Sequence, residues 1–167
     1  MTQAAVGVVV ALLSEAKALG LRAPVPGFNE VAGLRVYVSG IGAVAARLAA
    51  EKLADEGCRA LLSFGTAGAL DSSLAPGDVV CPSTVVYVDG HAVEPDTAWR
   101  ARLAARCADA EITLVDGRLL TTRLTLLNAG IKYLARTQSQ AVAVDQERSA
   151  VGDVASARTL PFLVARA

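Results

Sequence analysis

Apolar and polar positions alternate along this chain in blocks. Val6 to Leu12 is an unbroken apolar run of strand length, which reads as a buried parallel strand. Leu34 to Ser39 reads as a second strand, ended by Gly40 and Gly42. Ala43 to Glu56 is rich in Ala, Leu, Glu and Lys, the good helix formers, and Gly57 is placed to stop it. Arg59 to Phe64 is the next short apolar run, and Asp78 to Tyr87 reads as one longer β-branched strand. Asp96 suits the N-cap of a helix from Thr97 to about Ala108. Arg118 to Thr122 and Ala141 to Asp145 read as strands, with a helix near Leu126 to Arg136 between them. Gln146 to Ala157 reads as a helix and Pro161 to Arg166 as a last strand. Residues 20–33 and 88–97 read as loops.

Strands alternating with helices predict a single α/β domain, a three-layer α/β/α arrangement around a central mixed, mostly parallel sheet. A chain of 167 residues suits one domain, and 53% hydrophobic residues supply a sizeable core. In such sheets ligands bind beyond the carboxyl ends of the strands. Glu15, Thr66 to Gly68 and Asp145 to Glu147 fall at those ends.

Charge narrows the partners. Sixteen basic residues balance sixteen acidic ones, which leaves no electrostatic footprint for nucleic acid or an anionic membrane. The apolar run near the N-terminus is too short to span a bilayer and has no basic residue before it. Three well-separated cysteines, with no CxxC pair, read as reduced, buried thiols of a cytoplasmic protein. One histidine, His91, makes a Cys/His metal site implausible, and no metal or cofactor is expected. No GxGxxG follows a strand, so the dinucleotide fingerprint is absent.

The stretch Ser63-Phe64-Gly65-Thr66-Ala67-Gly68 ends an apolar run in a small-residue turn, followed by Pro76-Gly77-Asp78. Such a turn offers N–H groups and one hydroxyl to an oxygen-rich ligand. With Ser39-Gly40-Ile41-Gly42 before it and Val144-Asp145-Gln146-Glu147 after it, the chain resembles the purine nucleoside phosphorylase and methylthioadenosine/adenosylhomocysteine nucleosidase superfamily. The similarity runs from Val6 to Ala167 and is strongest to the hopanoid-associated phosphorylase group. It implies cleavage of a purine nucleoside N-glycosidic bond, by water or by inorganic phosphate as co-substrate, with adenosylhopane as a candidate substrate. It implies Glu15 as the catalytic acid/base and Thr66, Ala67 and Gly68 as the turn facing ribose and nucleophile. Leu124 and Thr125 would meet the base through the main chain, and Glu147 would bind the ribose hydroxyls beside Asp145 and Gln146. A homodimer or larger homo-oligomer is also implied.

Three departures set further expectations. The family's Ser-Asp segment, whose acid protonates the purine, would follow Arg166-Ala167, so a shortened and catalytically impaired nucleoside-binding chain is an alternative reading. The phosphorylase arginine ahead of the turn is replaced by Ser63 or Phe64. Gln146 and Arg148 stand where a methionine and a small residue are usual. Leaving-group protonation thus has no evident donor, since His91 reads as a solvated loop residue. Arg118, Arg123 and Lys132 could hold an anion, although solvated surface charge is the plainer reading.

Overall fold

The computed structural model describes residues 5–123, 125–146 and 150–167. Strands β1 (Val6–Val10), β2 (Gly27–Val31), β3 (Leu34–Val38), β4 (Ala60–Gly65) and β5 (Gly68–Ala69) come first, with helices α1 (Leu13–Ala18) and α2 (Ala43–Asp55) among them. Then follow β6 (Val79–Val80), β7 (Thr84–Tyr87), β8 (Ala92–Val93), α3 (Thr97–Asp109), β9 (Leu114–Val115) and β10 (Arg118–Thr122). The chain closes with α4 (Ala129–Ser139), β11 (Ala141–Gln146), α5 (Ala150–Ala157) and β12 (Phe162–Arg166).

The α/β class and its mostly parallel pairing are as the sequence predicts, but the strands divide into two sheets. One has the order β2-β3-β1-β4-β12-β6-β9 and the other β5-β11-β10-β7-β8. β12 lies inside the first sheet, parallel to β4, and all five of its residues are buried. Its apolar run Phe162–Ala165 is therefore that of an interior strand.

Helix α2 shows why the core closes tightly. Ala46, Ala49, Ala50 and Leu53 recur at helical spacing and are all buried, so a small-residue face lies against the sheet. Leu53 and Leu61 are fully buried in the main core, which stabilises the fold by about 1.5–3 kcal/mol per side chain.

Several expectations change. The strand expected over Asp78 to Tyr87 is two strands, β6 and β7, in different sheets. Pro82 lies at the break, where it cannot donate to a ladder. Residues 20–33 are not all loop: β2 pairs antiparallel with β3 across a turn in which Ala32 and Gly33 have φ of 49° and 79°. Residues 88–97 contain β8, paired with β7. α1 follows β1 directly and was not foreseen as an element. α4 begins at Ala129 rather than near Leu126, because the Asn128 side chain accepts from the Ile131 N–H and fixes the N-cap there. Gln146 ends β11 instead of opening a helix, and α5 starts at Ala150. Cys58, Cys81 and Cys107 are buried free thiols.

Candidate active site

Two sheets meet at one place, and sequence-local geometry puts them there. β4 ends at Gly65, and three residues later the chain has joined the other sheet as β5. Gly68 sits opposite Val144 of β11. A Cβ on Gly68 would lie 3.4 Å from Val144 Cγ1, in contact with the facing strand. The turn Thr66-Ala67 is thus held between the carboxyl ends of β4 and β11. That is where open α/β sheets place ligands.

Glu15 reaches this turn from α1. Its side chain is 4% exposed. One carboxylate oxygen accepts from the Ala11 N–H at 2.9 Å and the Leu12 N–H at 3.1 Å, in the manner of an acid in a capping box. The other accepts from the Thr66 N–H at 3.1 Å and lies 3.4 Å from the Thr66 hydroxyl. A buried carboxylate needs such donors to remain charged. The arrangement spans 51 residues of sequence and joins the first strand's exit to the Gly-Thr-Ala-Gly turn.

Asp145 is held differently. It is buried at the end of β11, and its Oδ2 accepts from Arg166 Nε at 2.9 Å and Nη2 at 2.8 Å. Its Oδ1 accepts from the Thr121 hydroxyl at 2.8 Å, across the β10–β11 pair. The Arg166 guanidinium, 1% exposed, also donates to the Ser63 carbonyl at 2.8 Å and the Ser63 hydroxyl at 2.7 Å. Ser63–Arg166–Asp145–Thr121 is therefore one buried polar chain running from the first sheet into the second. Its charges cancel and its donors are matched.

These elements enclose a cleft of about 310 Å³. Glu15, Thr66, Ala67, Gly68, Asp145 and Gln146, the described candidates at the strand ends, all line it. Leu12, Ile41, Thr125, Leu126, Lys132 and Val144 complete its lining. The Gln146 amide donates to the Thr125 hydroxyl, closing the distance between β11 and the β10–α4 connection. Leu124 and Glu147 lie outside the described residues. Ile41 also borders a shallower groove of about 580 Å³, lined by Val44, Leu48 and Arg123. Among the described residues no group of three His, Cys, Asp or Glu side chains could hold a metal ion.

The model of the phosphorylase superfamily matches residues 6–167. The chain belongs to that superfamily. Its fold is shared with solved nucleosidases. S-adenosylhomocysteine nucleosidase from Streptococcus pyogenes, in complex with 5-methylthiotubericidin, is 22% identical, with a TM-score of 0.86 over 100% of this chain and 84% of that one. The 5′-methylthioadenosine/S-adenosylhomocysteine nucleosidase of Campylobacter jejuni is 20% identical, TM-score 0.86, over 99% and 85%. A futalosine hydrolase mutant of Helicobacter pylori is 19% identical, TM-score 0.83, over 97% and 88%. Within this superfamily member, the three blocks read from the sequence come together at one cleft.

Sequence reasoning missed Arg166. The signal was present: a lone arginine inside Phe162-Leu163-Val164-Ala165-Arg166 is a charge in a buried strand, and such a charge needs a partner. Of the three cations named as anion holders, only Lys132 lines the cleft. Arg118 donates to the Ser139 carbonyl, and Arg123 lines the neighbouring groove. His91 is outside the cleft. Its ring lies 3.4 Å from Asp153 and is stacked at a tilt on Tyr87, 4.7 Å between centroids. Among the described residues no helix is long and apolar enough to cross a membrane.

Proposed function

We propose that this chain is an enzyme that hydrolyses the N-glycosidic bond of a purine nucleoside, with water rather than phosphate as the nucleophile. The observation that carries this reading is the placement of the Glu15 carboxylate on the Thr66 N–H and hydroxyl. Those donors are what a small-residue turn would otherwise offer to an anion. A phosphate ion there would meet a buried negative charge instead, whereas water meets a base. Among its contacts to Ala11, Leu12 and Thr66, the 3.4 Å one to the Thr66 hydroxyl is the longest, and a water can take its place on that oxygen. Asp145, fixed by Arg166 and Thr121, supports the β11 end from which Glu147 would hold the ribose hydroxyls.

The finer substrate assignment rests on the resemblance to the hopanoid-associated group. An adenosylhopane-type nucleoside carries a large apolar 5′ substituent. The groove beside the cleft, reached past Ile41 and lined by Val44 and Leu48, suits such a group. Ile41, Val44 and Leu48 are all exposed.

The proposed homo-oligomer has a separate surface. α4 has no buried residue, and Ile131 and Leu134 on it, with Leu127 just before its N-cap, are all exposed. A second copy packed there would stand next to the cleft wall.

Product analysis tests the nucleophile. Adenosine and 5′-modified adenosines incubated in phosphate buffer should yield the free sugar. Accumulation of the sugar 1-phosphate would overturn hydrolysis in favour of phosphorolysis.

A further inference from the structure

β10 and β11 run parallel to their last residues, where Thr122 stands opposite Gln146. Beyond Thr122 the chain leaves the sheet, and α4 starts only after the Asn128 cap. Among the described residues of this connection, Thr125, Leu126 and Leu127 make no backbone–backbone hydrogen bond. Their N–H and C=O groups are therefore not consumed by the fold. Thr125 and Leu126 line the cleft. A purine edge carries ring-nitrogen acceptors and, in adenine, an amino donor, which main-chain N–H and C=O groups can match.

Side chains hold the connection instead. Leu126 packs on the small cluster of Val86, Leu120, Ala141 and Val144. Gln146 reaches past the end of β10 and donates from its amide to the Thr125 hydroxyl. Apolar packing has no direction, whereas a hydrogen bond prefers one distance and one angle. Thr125 is exposed, so water would satisfy its hydroxyl without Gln146, and the bond adds little to folding. It fixes where the connection stands relative to β11. A methionine in place of Gln146 would have no N–H to donate.

We propose that Gln146 is a positioning residue for the base: its bond to Thr125 holds the β10–α4 connection at the spacing where the main chain of Thr125 and Leu126 grips the purine. This rests on the purine-nucleoside reading above. Gln146 acts through Thr125 and takes no part in breaking the glycosidic bond. A segment already held need not be ordered when the base arrives, so the tether raises affinity for the base and not the rate of the chemical step.

Calorimetric titration with free adenine and steady-state cleavage of adenosine test this in wild type, Gln146→Met, Thr125→Val, the double variant and Thr125→Ser. Gln146→Met and Thr125→Val should each weaken adenine binding about tenfold and raise the KM for adenosine to match, with kcat within about twofold. The double variant should bind no more weakly than either single one, because both changes remove the same bond. Thr125→Ser keeps the hydroxyl and should recover most of the affinity. Melting temperatures should match wild type. A loss in Gln146→Met with none in Thr125→Val would put Gln146 on the substrate itself and overturn the tether. Additive losses in the double variant, or adenine binding unchanged in both single variants, would overturn it too, and the purine reading would stand in each case. A wild-type protein that binds neither adenine nor adenosine would overturn that reading and the tether together.

Discussion

Arg166 places both Nε and Nη2 within 2.9 Å of the same oxygen of Asp145, and the two side chains are only 1% and 2% exposed. The pair ties the last strand of one sheet to the site strand of the other. Taking one partner away strands a charge in the interior. Arg166→Met should therefore cost about 3–5 kcal/mol in urea unfolding. Asp145→Asn combined with Arg166→Met should cost less than the two single changes added together. Strict additivity would show that the two side chains are not energetically coupled.

Glu147 is the proposed ribose ligand. Glu147→Gln should weaken adenosine binding by about 1–3 kcal/mol and leave adenine binding nearly unchanged, because an amide offers one acceptor and an unmatched donor where a carboxylate offers two acceptors. Calorimetric titration with both ligands checks this. Equal losses would place Glu147 away from the sugar.

Burial pushes the thiols of Cys58 and Cys81 upward, against partial opposition from Arg35 and Arg100 respectively. An acid whose folded pKa is raised contributes stability below its unfolded pKa and loses it as pH rises. Unfolding free energy should hence decline as pH climbs past about 8.5. At neutral pH a thiol reagent should label Cys58 and Cys81 only on unfolding, with the urea midpoint seen by circular dichroism. Rapid labelling of the folded protein would contradict their burial.

Much of the site was legible because its pieces are local. Glu15, the Thr66–Gly68 turn and Asp145–Gln146 each end a strand, and strand ends in an α/β domain converge whatever the details of pairing. The Ser63–Arg166–Asp145–Thr121 chain was not legible, since Arg166 meets Ser63 across 103 residues and no periodicity encodes that meeting. Lys132 was named as a cation but not as part of the cleft. Its direction depends on the Asn128 cap starting α4 three residues later than the apolar pattern implied. The division into two sheets falls at Pro82, which has no N–H to donate inside an otherwise β-branched run.

The central claim is cleavage of a purine nucleoside by water activated at Glu15. Its most direct measurement is free adenine released from adenosine and 5′-modified adenosines, by wild type and Glu15→Gln, with and without phosphate. The account predicts wild-type release that is independent of phosphate and a fall in kcat of about 10²–10⁴-fold in Glu15→Gln. Nucleoside binding without adenine release in wild type, or release that requires phosphate, would contradict it.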